Sequence, residues 1–184
     1  MEYKELQPFV GKIYHQGMKL NRQFNFNGYT MATDGYRFAA IKDNNTDNTK
    51  GYENIYKVFL NILEEVKSKS IYTFSRDQFK TLEQRYKLIH QENKKIYRSE
   101  LIVGLNFING DMVLFNKLNA RTKSESLMHQ YFNYKYFYEA LKFFPRFKTV
   151  ELMHFSERSK PVVFNSNNRQ LILMPLLLRN LKEE

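Results

Sequence analysis

The chain has 184 residues, of which 42% are apolar and 16% aromatic, so it can form one or two domains with a hydrophobic core and is too apolar to be disordered. It has no cysteine, which excludes disulfides, thiolate metal sites and cysteine nucleophiles. No apolar run reaches membrane-spanning length and the first residues lack a signal-peptide core, so we expect a soluble, cytoplasmic protein. The net charge of +10 fits two roles, solubility or attraction to a polyanion, chiefly nucleic acid.

Residues 1–41 predict a short helical or irregular segment followed by three antiparallel strands. The segment covers residues 5–13 and is broken by Pro8 and Gly11. Asn27-Gly28 is typical of a two-residue hairpin turn, because both residues tolerate positive φ angles. The expected strands lie at about 22–26, 29–33 and 36–41.

A second hairpin pair, Asp34-Gly35, joins the last two of these strands. A two-residue type I′ turn there places three pairs opposite each other on one side of the ribbon: Thr33 and Tyr36, Met31 and Phe38, Tyr29 and Ala40. The other side carries Thr30, Ala32, Arg37, Ala39 and Ile41, because strand side chains alternate.

Residues 43–50 form a polar stretch that is the best candidate for a linker. Directly after it, apolar residues at steps of three and four predict a short amphipathic helix: Ile55, Phe59, Ile62 and Val66.

From residue 71 onward, the pattern is strand, helix, three strands, helix and three strands. The first helix has Ser75 as its N-cap and an apolar stripe of Phe79, Leu82, Tyr86 and Ile89. The second helix covers residues 133–144 and ends before Pro145. The expected strands are 71–74, 101–108, 112–117, 127–132, 149–155, 161–164 and 170–174, with Asn109-Gly110 as a third hairpin pair.

This order is a coarse internal repeat, and the N-terminal segment with its three strands looks like one more half-unit of the same kind. Hairpins dictate antiparallel pairing. The predicted fold class is therefore α+β, with helices on one face of antiparallel sheets.

Four stretches carry a further signal in their order along the chain. They are Ala-Thr-Asp-Gly-Tyr-Arg-Phe-Ala (32–39), Gly-Tyr-Glu-Asn-Ile-Tyr-Lys-Val (51–58), Phe-Asn-Tyr-Lys-Tyr-Phe-Tyr-Glu-Ala-Leu (132–141) and Leu-Met-Pro-Leu (173–176). In this order they resemble motifs of the bacterial DNA polymerase III β subunit, the sliding clamp. The resemblance implies a truncated, divergent member with the repeated helix-and-strand units of the clamp fold.

Clamps of this family have three full domains and close into dimeric rings. By resemblance, residues 1–50 are a partial, middle-domain-like half-domain, 51–70 a linker with a short helix, and 71–184 a complete C-terminal clamp-like domain. The family's first domain has no counterpart here, and the chain between Lys42 and Gly51 has room only for a loop.

In the family, the first and last of the four stretches form a hydrophobic cleft that holds short linear motifs of polymerases and other clients. Matching positions here imply a cleft of Thr33, Gly35, Tyr36, Arg37, Phe38, Ile172, Leu173, Met174, Pro175, Leu176 and Leu178. Tyr36 stands where the family has histidine, and Leu177 where it has arginine. The alternative is that residues 171–178 are simply a buried strand and its exit.

In clamps the helices line the DNA channel and face phosphates without reading bases. The candidates here are Arg76, Lys80 and Lys87 on one helix, and Lys135, Lys142 and Arg146 on the other. Glu83 and Glu139 lie on or beside these faces, so a solvated, salt-bridged surface explains the same pattern.

The four histidines lie far apart without metal-binding spacing, and no phosphate-binding loop or nucleophile motif is present. We therefore expect a non-enzymatic protein without cofactor or metal.

The sequence favours a clamp-like protein of DNA replication that binds duplex DNA without sequence specificity, linear motifs of polymerase-type clients, or both. Assembly into a homo-oligomer stays open. The alternatives are a stand-alone peptide-binding module that competes with a complete clamp, and an unrelated small α+β protein with an accidental resemblance.

Overall fold

The computed structural model describes residues 2–11, 20–44, 47–66, 70–92, 94–108, 111–116, 130–144, 149–155 and 157–176. A 3₁₀-helix at Lys4–Phe9 comes first, and a shorter one lies at Arg98–Glu100. The α-helices in these ranges are α1 (Glu53–Val66), α2 (Arg76–Glu92) and α3 (Tyr134–Lys142). The strands are β1 (Phe24–Phe26), β2 (Tyr29–Thr33), β3 (Arg37–Lys42), β4 (Ser70–Ser75), β5 (Leu101–Leu105), β6 (Met112–Asn116), β7 (Gln130–Asn133), β8 (Thr149–His154), β9 (Val162–Ser166) and β10 (Arg169–Leu173).

The strands form two antiparallel sheets. The larger sheet has seven strands in the order β1-β2-β3-β10-β9-β8-β4, and the smaller has the order β6-β5-β7. From β4 onward, the described elements follow the predicted repeat of strand, helix, three strands, helix and three strands. The predicted α+β class is confirmed.

The two N-terminal hairpins close differently. At Asn27-Gly28 both φ angles are positive, 46° and 79°, and Phe26 pairs with Tyr29, as a two-residue turn requires. At the second hairpin Thr33 pairs with Phe38, which makes residues 34–37 a four-residue loop. The predicted two-residue turn at Asp34-Gly35 is therefore wrong.

The Asp34 side chain explains the longer loop. Its Oδ1 accepts hydrogen bonds from the backbone N–H groups of Tyr36 (3.0 Å) and Arg37 (2.9 Å), so the carboxylate bridges the loop from inside. Only Gly35 in this loop has a positive φ, 88°. The register moves by two residues, an even number, so the predicted division of side chains between the two sheet faces still holds.

The faces of the seven-stranded sheet contact two separate clusters of buried side chains. One face packs against α2, α3, the N-terminal 3₁₀-helix and the three-stranded sheet, and we call it the closed face. The opposite face packs against α1 through Phe59, which stacks on Phe38 with ring centroids 4.6 Å apart. We call it the α1 face. The two helices of the repeat thus lie on one side, and of the described helices only the linker helix lies on the other.

Side-chain caps begin α2 and α3 where the sequence predicts. Ser75 Oγ accepts from the Gln78 N–H (3.2 Å), and Gln78 Oε1 accepts from the Ser75 N–H (2.8 Å), which is a reciprocal capping box. Asn133 Oδ1 accepts from the Lys135 N–H at 3.0 Å and caps α3.

Some sequence predictions fall outside the described residues: the Asn109-Gly110 turn, the end of the second helix at Pro145, and the start of the strand predicted at 127–132. The predicted domain boundaries stay predictions. Strand β3 of the first predicted unit pairs with β10 of the last, so both contribute to one sheet. None of the helices in the described ranges is both long enough and apolar enough to cross a membrane.

Candidate functional site

A groove of about 340 Å³ opens on the α1 face of the seven-stranded sheet. Its walls are α1 on one side and, on the other, the 34–37 loop with the adjoining ends of β3 and β10. The lining residues are Leu20, Thr33, Gly35, Tyr36, Arg37, Phe38, Asn54, Ile55, Val58, Phe59, Ile62, Ile172 and Met174. Most of these side chains are apolar.

Pairing of β3 with β10 brings the two halves of the predicted cleft together, since Ile172 lies opposite Phe38 and Leu173 opposite Arg37. The Met174 N–H then donates to the Tyr36 carbonyl at 3.0 Å and continues the contact beyond the strand. Seven of the predicted cleft residues line the groove: Thr33, Gly35, Tyr36, Arg37, Phe38, Ile172 and Met174.

The remaining predicted cleft residues are placed elsewhere. Leu173 is fully buried and belongs to the closed-face cluster, because it alternates with Ile172 along β10. Pro175 and Leu176 are half-buried and do not line the groove, and the Leu176 N–H donates to the Tyr131 carbonyl at 2.7 Å. Leu178 lies outside the described residues.

The sequence prediction missed the α1 wall of the groove. The helix was recognised from its core stripe, but Ile55, Val58 and Ile62 form a second apolar row at steps of three and four. Val58 is 58% exposed and faces no core. The sequence signal that was available is the width of the apolar face of α1, which extends beyond the residues that pack against the sheet.

Arg37 holds the 34–37 loop in place from the closed-face side of the sheet. Its Nε donates to Asp34 Oδ2 (2.9 Å), its NH2 donates to the Pro8 carbonyl (2.7 Å), and its NH1 donates to Glu139 of α3. The guanidinium lies between the rings of Phe9 (4.9 Å) and Tyr136 (4.3 Å). Although Arg37 was predicted as a cleft residue, its side chain is 4% exposed and its donors are directed toward α3 and the N-terminal segment.

Two aromatic rings connect the Arg37 contacts to the exposed edge of the groove. The Tyr36 ring is 59% exposed and stacks on Tyr136 of α3, with centroids 6.1 Å apart. Burial, together with the Asp34 charge, raises the pKa of Tyr136 above its usual range. The exposed apolar rim thus consists of Tyr36, Val58 and Met174, each at least 42% exposed.

The predicted DNA-contacting residues lie on neighbouring helices. The rings of Phe79 (α2) and Tyr138 (α3) are 5.6 Å apart, and Lys142 Nζ lies 3.9 Å from Glu83 Oε1 across the same junction. Lys80 pairs with Asp77 at 3.0 Å on the α2 surface. Arg76, Lys87 and Lys135 are exposed and make no ion pair with a described residue. Arg146 lies outside the described residues.

The described residues offer little for metal or acid–base chemistry. Within those ranges, no group of three or more His, Asp or Glu side chains is arranged to hold a metal ion. Among the described residues that line the groove, Arg37 is the one ionic residue, and its guanidinium is directed away from the groove and bound by two carboxylates. The geometry therefore favours binding of an apolar ligand.

No protein-family model matches the chain, and no curated protein matches it. Solved structures do. The DNA polymerase III β subunit of Pseudomonas aeruginosa matches with a TM-score of 0.55 and 13% identity, covering 94% of this chain and 62% of that one. The β subunit of Streptococcus pyogenes gives 0.52 and 14%, covering 94% and 62%. The sliding clamp of Bartonella birtlesii, bound to griselimycin, gives 0.53 and 12%, covering 95% and 63%.

The chain thus spans about three-fifths of the length of these structures. At such low identity the match concerns the fold. The chain has the fold of the bacterial DNA polymerase III β subunit, the sliding clamp.

Proposed function

We propose that the chain is a non-enzymatic, sliding-clamp-like protein of DNA replication whose groove holds an extended, apolar linear motif of a polymerase-type client. One observation carries the proposal. The two stretches that resemble the clamp's cleft are distant in sequence, and β3–β10 pairing brings them to one open apolar groove.

The chemistry of the groove suits such a ligand. Its volume of about 340 Å³ accommodates a few side chains rather than a domain surface. Met174 at the rim is unbranched and polarizable, so it adapts to different apolar partners. Backbone contacts along the loop and strand ends would orient an extended peptide.

A fluorescently labelled linear motif from a bacterial replicative polymerase tests this proposal. We expect saturable binding that Met174→Lys weakens at least about tenfold, because a charge replaces an apolar rim contact. Griselimycin, found bound to the Bartonella birtlesii clamp, serves as a second probe, and competition with the peptide would indicate that both ligands occupy the groove.

The matched control is Ile108→Lys, which places the same charge at an apolar side chain that is 84% exposed and does not line the groove. It should bind like the wild type. Failure of the peptide to bind, or binding unchanged by Met174→Lys, contradicts a client-binding groove.

DNA contact is a second candidate function, supported by the exposed cations on α2 and α3 and by the net charge of +10. Arg76, Lys80, Lys87, Lys135 and Lys142 would contact phosphates without reading bases. If Lys87 and Lys135 each contact one phosphate, replacing both by alanine makes the negative slope of log affinity against log salt shallower by about 1.8. A protein that fails to bind duplex DNA even at low salt contradicts this function.

Whether the chain works as a ring or as a stand-alone module that competes with a complete clamp is decided by its mass in solution. Light scattering after size exclusion, with and without duplex DNA, measures it. A closed homo-oligomer of defined stoichiometry favours encirclement of DNA. A monomer that does not bind DNA but binds the peptide favours the competing module.

A further inference from the structure

We propose that Asn54, in the first turn of α1, fixes the register of the bound peptide by a paired hydrogen bond from its side-chain amide to the peptide backbone. This inference rests on the proposed client-binding function of the groove. It assigns a specificity role to a residue that neither wall of the sequence-predicted cleft contains.

Four polar side chains of described residues line the groove, and two of them already make hydrogen bonds within the protein. The Thr33 hydroxyl donates to the Arg37 carbonyl (2.7 Å) and accepts from the Gly35 N–H (3.2 Å). The Arg37 guanidinium is held by Asp34, Glu139 and the Pro8 carbonyl. Neither side chain can turn to a ligand without breaking contacts that form the loop.

Asn54 differs from both. It lines the groove, it is exposed, and its side chain makes no hydrogen bond to any described residue. A primary amide carries both a donor and an acceptor, and an extended peptide presents both a backbone N–H and a carbonyl to one side. Asn54 can therefore pair with a peptide backbone as a neighbouring strand would.

The start of α1 is held in place, so the amide is presented at a defined position. Tyr52, directly before the helix, is 5% exposed and stacks on Phe24 of β1 with ring centroids 4.4 Å apart. On the helix, the neighbours Ile55 and Val58 line the same groove. A polar group held by packed neighbours orients a ligand better than one on a mobile loop.

Besides the exposed hydroxyl of Tyr36, Asn54 is the described groove residue that can offer a ligand a directional contact. Apolar burial is non-directional, so apolar walls would accept a peptide in several registers. One paired amide selects the register in which the ligand's apolar side chains reach both the loop wall and the α1 wall.

The test compares Asn54→Leu with Asn61→Leu, using the labelled polymerase motif as the probe. Asn61 is an exposed asparagine on the same helix that does not line the groove. We expect Asn54→Leu to weaken binding at least about fivefold, because it removes two neutral hydrogen bonds, and Asn61→Leu to leave binding within about twofold.

A scan of the peptide by backbone N-methylation identifies the paired position. In the wild type, one N-methyl group should weaken binding by a similar factor, and in Asn54→Leu the same group should have no further effect. A purely structural role of Asn54 would not produce this loss of additivity.

The outcomes separate the two proposals. If the wild type binds the peptide and Asn54→Leu binds it equally well, the role of Asn54 is overturned and the client-binding function stands. If Asn54→Leu weakens binding but every N-methyl effect is additive with it, the backbone pairing is overturned. If the wild type does not bind the peptide, both proposals fail.

Discussion

The two faces of the seven-stranded sheet are covered to different degrees. The closed face packs against two helices and a second sheet, and Phe74, Phe137 and Phe164 are fully buried there. Within the described part of the chain, the α1 face is covered by one helix of 14 residues, and apolar side chains on and beside that helix are exposed. The same sheet therefore has a core on one side and a core with an adjacent groove on the other.

This difference would let one chain separate its stability from the proposed peptide binding. A seven-stranded sheet is wider than one helix, so a face covered by one helix leaves apolar surface beside it. Exposed contiguous apolar surface in a soluble fold is typical of a binding site. Substitutions should therefore affect stability on the closed face and ligand binding at the groove.

The largest effect is expected for Phe137→Ala on the closed face. Phe137 contacts the rings of Phe74, Phe132 and Phe164 at centroid distances of 5.8–5.9 Å. Its removal should lower the free energy of unfolding by about 4 kcal/mol through lost burial and the cavity left behind. Denaturant titration measures this change.

The control for that comparison is Val58→Ala at the groove, where the side chain is 58% exposed. It should change the free energy of unfolding by no more than about 0.5 kcal/mol and should weaken peptide binding. Equal destabilisation by the two substitutions would contradict the distinction between the faces.

Arg37→Ala should have the next largest effect, because it should lower both the free energy of unfolding and the affinity for the peptide. It leaves the carboxylates of Asp34 and Glu139 without their shared cation and should lower the free energy of unfolding by about 3 kcal/mol. The loop wall of the groove would lose its anchor on α3, so peptide affinity should fall as well.

Arg22→Ala is the matched control, since Arg22 is exposed and its guanidinium interacts with the hydroxyl (3.3 Å) and the ring of Tyr52, with no ion pair to a described residue. A loss of less than about 0.5 kcal/mol is expected there. If Arg37→Ala is as mild as Arg22→Ala, the buried guanidinium does not hold the loop.

The smallest effect at neutral pH concerns Tyr134 of the closed face. Burial raises the pKa of its phenol above the ordinary value of 10.0, by more than the nearby Arg98 guanidinium lowers it. The folded state therefore favours the neutral phenol. This contribution is complete below pH 10 and is lost as the pH rises above 10, where the unfolded state ionises first.

Tyr134→Phe should therefore flatten the decline of unfolding free energy above pH 10 while changing it by no more than about 1 kcal/mol at pH 7. Urea titrations from pH 7 to pH 11 measure both quantities. Identical pH dependence in the wild type and the variant would place the alkaline sensitivity on other groups.

The repeat and most elements were predictable from the sequence because their signals are local. Ser75 and Gln78 cap α2 by contacts three residues apart, and Asn27-Gly28 closes its hairpin within two residues. The second hairpin was mispredicted because Asp34 can either occupy a type I′ turn or bridge a longer loop. The loop's connection to α3 through Arg37 and Glu139 spans 102 positions, beyond the reach of any local pattern.

For the site, sequence resemblance identified the loop and strand wall, and the five predicted hairpin residues, Thr33, Gly35, Tyr36, Arg37 and Phe38, do line the groove. It also placed Leu173 in the cleft, whereas Leu173 packs in the closed-face cluster. The face of the sheet on which a residue of β10 lies depends on how the neighbouring strands pair. It missed Asn54 and Val58, because an amphipathic pattern shows that a helix packs but not what lies beside it.

The amino-acid sequence by itself determined the α+β class, the order of the repeat, the capped helices and the apolar pattern of each element, because these follow from interactions within a few residues. Only the tertiary structure decided that β3 pairs with β10, that α1 covers the face opposite α2 and α3, and that Arg37 supports the groove from beneath. Those outcomes depend on contacts between segments that are distant in sequence. Alternative arrangements of these segments differ in free energy only once the whole core has packed.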